Sequence, residues 1–129
     1  MATSMSNELF PKPMKVYLAG PMRGMPKFNY PAFHAAAVKL RAQGHVVFSP
    51  ADADIQRIGK DVSAEFPTGN ADKLARKYGV TIRECLGEDL AWICEHAEAI
   101  ALLPGWDRSL GATAEWATAL ALNLYIREL

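Results

Sequence analysis

Lys15-Val16-Tyr17-Leu18-Ala19-Gly20-Pro21 is the stretch from which the fold is read. A short apolar run, partly β-branched and closed by Gly-Pro, is the sequence form of a buried parallel strand running into a loop. Beyond the loop, Asn29 is placed to cap a helix, and Pro31 falls in its first turn, where a missing N–H costs little. Phe33, Ala37 and Leu40 then recur at helical spacing until Gly44 stops the helix. His45-Val46-Val47-Phe48-Ser49 supplies a second strand, ended by Pro50. Strand, helix and strand joined this closely make a β-α-β unit, which implies a parallel sheet.

Toward the C-terminus the pattern thins and then returns. Within 51–80 only Asn70 stands out, as the cap of a short helix through Lys77 that Gly79 ends. Thr81-Ile82-Arg83-Glu84 has the form of a capping box and opens a helix to about Ala97, in which Gly87 allows a bend. Ala99-Ile100-Ala101-Leu102-Leu103 is a third buried strand, closed by Pro104-Gly105. Ser109 caps a last helix to about Leu122, and 124–126 add a short final strand. The expected architecture is α/β, a small Rossmann-like (flavodoxin-like) three-layer sandwich with a parallel sheet. It occupies a single domain over 15–129, behind a flexible leader of residues 1–14.

A chain of 129 residues holds one such domain with a proper core. Its 14 basic and 14 acidic residues cancel, and no basic stripe stands out. A nucleic-acid polymer is therefore not an expected partner, whereas a small phosphorylated ligand needs only one or two positive groups. Cys85 and Cys94 lie about 13 Å apart along one helix, too far to bridge, and read as buried structural thiols suited to a cytoplasmic setting. No apolar run approaches the ~20 residues of a membrane helix, and the first dozen residues show no signal-peptide core. His34, His45 and His96 are scattered, without metal-ligand spacing.

In an open parallel sheet, ligands bind beyond the carboxyl ends of the strands, so the loops after strands one and three are where chemistry is sought. The first reads Gly20-Pro21-Met22-Arg23-Gly24. Gly24 would let backbone approach a ligand, and Arg23 would hold a phosphate or carboxylate by its fork. The alternative is a turn with a solvated arginine. After strand three, Ser109 and Gly111 fall where a helix begins, and free N–H groups there form an anion site. Glu115 is hemmed in by Ala112, Ala114, Trp116, Ala117 and Ala119. A buried glutamate is costly without a task or a partner, although an exposed rim or a structural ion pair would also account for it. Asp89, preceding an apolar helix face, is placed to point across the sheet top toward Glu115, unless it is simply solvated. Two carboxyls at one site are what glycosidic chemistry uses, one at the reacting carbon and one for the proton of the leaving group. Trp106, in the loop beside this site, is a candidate to stack on a base.

These residues together resemble the nucleoside 2-deoxyribosyltransferase superfamily, and within it the 2′-deoxynucleoside 5′-phosphate N-hydrolases. Three blocks carry the resemblance in order: Tyr17 to Gly24, Asp89-Leu90-Ala91-Trp92, and Ser109-Leu110-Gly111 followed by Glu115. The resemblance implies a covalent glycosyl-enzyme on Glu115, with Tyr17 positioning it and Asp89 orienting the sugar or assisting the leaving base. Gly20, Met22, Arg23, Gly24, Ser109 and Gly111 would line the site and grip a 5′-phosphate. It implies no metal or redox cofactor, a nucleotide or nucleoside as ligand, and a homodimer or higher homo-oligomer. Base exchange by a transferase and non-catalytic nucleotide binding remain the alternatives to hydrolysis. Pro21 departs from the serine that phosphate-using relatives tend to carry there, and 51–80, which would form much of the base pocket, matches no block.

Overall fold

The structure, a computed structural model, describes residues 9–129. Four strands, β1 (Lys15–Ala19), β2 (Val46–Phe48), β3 (Ala99–Leu102) and β4 (Tyr125–Glu128), form one sheet in the order β2-β1-β3-β4. Every pairing is parallel, with Tyr17 opposite Phe48 on one side and opposite Ile100 on the other. Five helices flank the sheet: α1 (Tyr30–Ala42), α2 (Pro50–Ile58), α3 (Ala71–Tyr78), α4 (Ile82–His96) and α5 (Leu110–Ala121). The fold is the small Rossmann-like α/β sandwich expected from the sequence.

Strand alternation explains the three layers. Val16, Leu18, Ala99 and Ala101 face one side, where Phe33, Ala37 and Leu40 of α1 pack on them. Tyr17, Ala19, Ile100 and Leu102 face the other, against Ile93 of α4 and Ala112 and Ala119 of α5. After β2 the chain crosses back past β1 to build β3, so the connection reverses direction between β1 and β3. That switch point is where such sheets open a crevice. The two strand ends meet closely there, since a Cβ on Gly20 would lie 2.8 Å from Leu103 Cβ.

Several sequence expectations are corrected. The flexible leader expected over 1–14 does not hold for its described part: residues 1–8 lie outside the described residues, but Phe10 and Met14 are buried in the core. Phe10 meets His45 edge to face, and the Met14 N–H donates to His45 Nδ1 at 3.1 Å. Asn29 stands at the N-cap position of α1, but its side chain caps no helix N–H. Its φ is +62°, and its side-chain amide donates to the Pro21 carbonyl instead, pinning the loop after β1. Lys27, Phe28 and Asn29 form a run of three left-handed residues, held where the Lys27 N–H meets the Phe66 carbonyl. Pro50 does more than end β2, because it begins α2, a helix absent from the expected architecture. Gly87 causes no break in α4. Cys94 is exposed and Cys85 half-buried, so neither is a fully buried thiol. On α5 only Ala112, Glu115 and Ala119 are buried, while Leu120 and Leu122 face outward. The caps expected of Asn70, Thr81 and Ser109 are present, each side chain accepting from a backbone N–H three residues on.

The loop after β1 is fastened to the segment between α2 and α3 at Gly69. The Gly24 N–H donates to the Gly69 carbonyl at 2.9 Å, and a Cβ on Gly69, whose φ is +68°, would overlap the Met25 carbonyl oxygen. Gly69→Ala should therefore cost about 2 kcal/mol or more, from left-handed strain plus the clash. Thermal or urea unfolding of the variant measures this, and a loss below about 0.5 kcal/mol would show that the loop yields freely.

Candidate active site

A cleft of about 180 Å³ opens at the switch point beyond the carboxyl ends of β1 and β3. Gly20, Met22 and Arg23 line it from the loop after β1, Ser109, Gly111 and Glu115 from α5 and its cap, and Asp89 from α4. Residues far apart in sequence are thus brought to one place. The first turn of α5 faces the same space. Ser109 Oγ accepts from the Ala112 N–H at 3.2 Å, which leaves the Leu110 and Gly111 N–H groups without an acceptor inside the helix. Arg23 is exposed on the opposite lip and makes no ion pair among the described residues. An anion spanning these two elements would meet a fork of donors and a helix N-terminus together.

Glu115 is 6 % exposed, and its burial has a local cause. It lies one turn from Ala112 and from Ala119, the two alanines that α5 presses against the sheet. Their small side chains let the helix approach closely, and the carboxyl is carried in with them. The Tyr17 hydroxyl, fully buried on β1, donates to Glu115 Oε2 at 2.6 Å. Phe48 stacks on the Tyr17 ring at 5.4 Å between centroids, which fixes the direction of that hydroxyl. Burial pushes the Glu115 carboxyl up to about 8; the Tyr17 hydrogen bond opposes the shift and the charge of Asp89 adds to it. Tyr17 is itself raised well above its ordinary range, first by burial and then by the Glu115 and Asp89 charges, so its hydroxyl stays a donor.

Asp89 is equally buried and is held up to about 7, chiefly by burial, against the pull of Arg57. Arg57 heads a polar network with no counterpart among the sequence candidates. Its Nη1 donates to Asp54 Oδ1 at 2.6 Å, its Nε to Glu88 Oε2 at 2.7 Å, and its Nη2 lies 3.7 Å from Asp89 Oδ1. Tyr30 donates to Asp54 at 3.1 Å, and the Cys85 thiol, pushed by burial up to about 12, sits 3.5 Å from the same carboxylate. Asp54 and Cys85 line the cleft as well. The remaining wall is largely apolar, with Phe28, Leu74, Val80, Ile82 and Leu86. The signals for α2 are the helix-starting Ser49-Pro50 and the i, i+3 pair Asp54 and Arg57.

Three sequence candidates lie apart from the cleft wall. Tyr17 stands behind Glu115 rather than beside a ligand. Gly24 directs its N–H at Gly69, so it shapes the loop instead of contacting the cavity. Trp106 is not a base platform. Its ring packs on Trp116 at 5.4 Å and its indole N–H donates to Glu128 at 3.0 Å, at the outer edge of the sheet.

Two carboxyls held above their ordinary values thus share one cleft with the unpaired N–H groups at the start of α5. The chain belongs to the family described as a domain of unknown function, DUF4406, whose model matches residues 14–128. No curated protein and no solved structure matches it.

The cost of burying Glu115 has a measurable sign. The unfolded chain releases this proton near the ordinary 4.5, whereas the folded protein holds it to about 8. Folding therefore loses free energy as pH rises between those values. Glu115→Gln keeps an acceptor for Tyr17 and removes the charge. It should match the parent in stability near pH 4.5 and exceed it by on the order of 1–3 kcal/mol near pH 9. Melting curves across this range test it, and a variant less stable than the parent at high pH would contradict the burial argument.

Proposed function

We propose that the protein hydrolyses the N-glycosidic bond of a (deoxy)nucleoside 5′-monophosphate, as a relative of the nucleoside 2-deoxyribosyltransferase superfamily. The observation that carries this reading is the buried Glu115 carboxyl, oriented by the Tyr17 hydroxyl, in one cleft with Asp89 and an anion-binding helix start. A pocket that merely held a nucleotide would gain nothing from two buried carboxyls, each of which costs free energy to desolvate.

The reaction follows from the chemistry of the pair. A Glu115 oxygen attacks C1′ of the sugar as the C1′–N bond breaks, and the bonding electrons leave with the base nitrogen. Asp89 supplies the proton the base requires. Water then attacks C1′ of the glycosyl-enzyme, Glu115 departs as carboxylate, and Asp89 recovers a proton from that water. Both carboxyls are held above their ordinary values, so the cleft retains a proton at neutral pH. The Tyr17 hydrogen bond opposes the effect of burial on Glu115, which lowers the cost of the ionised form that attacks. Arg23 and the Leu110 and Gly111 N–H groups take the 5′-phosphate, and the apolar wall from Phe28 to Leu86 receives the base.

The decisive experiment incubates the protein with nucleosides and their 5′-monophosphates, with and without a second free base, and follows released base by chromatography. Monophosphates should release base without needing an acceptor. Release only in the presence of a second base would assign a transferase, and no release from any substrate would leave a binding protein. Glu115→Gln should fold and bind a monophosphate while turnover falls by roughly 10³-fold or more.

Arg23 is expected to read the phosphate. Arg23→Ala should weaken monophosphates by about 1.5–3 kcal/mol in kcat/KM and leave unphosphorylated nucleosides nearly unchanged. Equal losses on both substrate types would remove the phosphate site from the reading.

A further inference from the structure

Arg57 is tied on two sides and approaches Asp89, a cleft residue, on the third. Nη1 is bonded to Asp54 and Nε to Glu88, while Nη2 faces Asp89 Oδ1 at 3.7 Å. Nη2 also lies 2.6 Å from Glu88 Oε2, the oxygen that Nε already holds, but makes no hydrogen bond to it. Nη2 and Asp89 Oδ1 are both buried, and neither has a hydrogen-bond partner of its own among the described residues. The guanidinium is only 15 % exposed, so its charge acts on Asp89 with little screening by water. A residue serving only to brace α2 against α4 would need the Asp54 and Glu88 contacts and nothing more. The third nitrogen, aimed at a carboxyl of the cleft just beyond bonding distance, has a different consequence.

We infer that Arg57 is a positioning residue for Asp89, holding that carboxyl in a state from which it can both give up and regain a proton. The inference rests on the proposed glycosidic chemistry, in which Asp89 acts first as acid and then as base. Such a group must exchange its proton near the working pH. Burial alone would lock the proton on. The groups facing Asp89 divide by sign: Asp54 on α2 and Glu88 on α4 add to the effect of burial, whereas Arg57 and the Tyr17 hydroxyl on β1 oppose it. Glu115 on α5 and the half-buried Cys85 thiol complete the surroundings, each coupled to the Asp89 charge. Arg57 is the one member of this set that is positively charged. It does not touch the reacting atoms, and it acts through Asp89.

The test reads Asp89 directly, in the full-length protein without any substrate. Carboxyl-¹³C aspartate is incorporated, the Asp89 resonance is assigned by its loss in Asp89→Asn, and its titration is followed by NMR. Arg57→Gln should raise the Asp89 midpoint by about one pH unit or more. Arg57→Lys should return most of that shift, because the cation is restored although the fork is not. A mere brace would lower the melting temperature of Arg57→Gln and leave the midpoint alone, so an unmoved midpoint in the folded variant overturns the inference. If Arg57→Gln does not fold, Arg57→Met, which keeps the aliphatic stem and removes the cation, decides. It should raise the Asp89 midpoint in the same way, and no change would again overturn the inference. No substrate enters the titration, so failure of the glycosidase reading in the base-release assay and failure of this inference are separate results.

Discussion

The hydrogen bond from Tyr17 to Glu115 joins the central strand of the sheet to the helix that packs last upon it, across 98 residues of chain. It is made in a place from which water is excluded, and this fixes much else. A carboxyl can be buried there only if the helix carrying it comes close to the sheet, and Ala112 and Ala119 allow that approach. The tyrosine can direct its hydroxyl only if its ring is clamped, and Phe48 from the neighbouring strand clamps it. An aromatic on β2, an alanine stripe on α5 and a tyrosine on β1 therefore serve one acceptor. Without the carboxyl these choices would make an ordinary core. With it, the core ends in a buried carboxyl that lines the cleft.

How much of this is legible in the sequence depends on where the information lies. The strands at 15–20 and 99–103 are readable because a continuous apolar run closed by Gly-Pro or Pro-Gly fits little except a buried strand. Asn70, Thr81 and Ser109 are readable as caps because the pattern is local. Glu115 and Asp89 stand out as charges inside apolar helices, and the structure places them at one cleft with Arg23, Ser109 and Gly111. Asn29 misleads because local capping chemistry predicts a partner within the next turn, whereas its amide reaches back eight residues to Pro21. Trp106 misleads because adjacency along a loop says nothing about which side of the strand end an indole takes. Arg57 is hidden for a deeper reason. Its partners Glu88 and Asp89 are set by how α2 meets α4, a tertiary contact with no local signature.

The cleft is lined by both polar and apolar side chains. Its lining combines donors, from Arg23 and the start of α5, with the apolar Phe28, Leu74, Val80, Ile82 and Leu86. With them stand the two carboxyls. A ligand matching this set would have an anionic part and a flat or apolar part. Most of the wall comes from the segment between β2 and β3, and the least patterned part of that segment is fastened at Gly69 to the loop bearing Arg23. Changes in the wall can thus be felt at the loop bearing Arg23 without any contact between the two.

The strand order has a consequence for how the protein comes into being. β1, α1 and β2 are neighbours in sequence and can pair as soon as they are made, but the partner of β1 on its other side, β3, lies some 80 residues further along. Contacts of such separation form late, because loop closure must precede them. Asp89, Glu115 and the donors at the start of α5 all arrive with that second half of the chain. A partly folded chain can therefore possess a native-like first half and still have no cleft at all. In a refolding experiment, recovery of ligand binding would report docking of the second half of the sheet, whereas early helix signals would not.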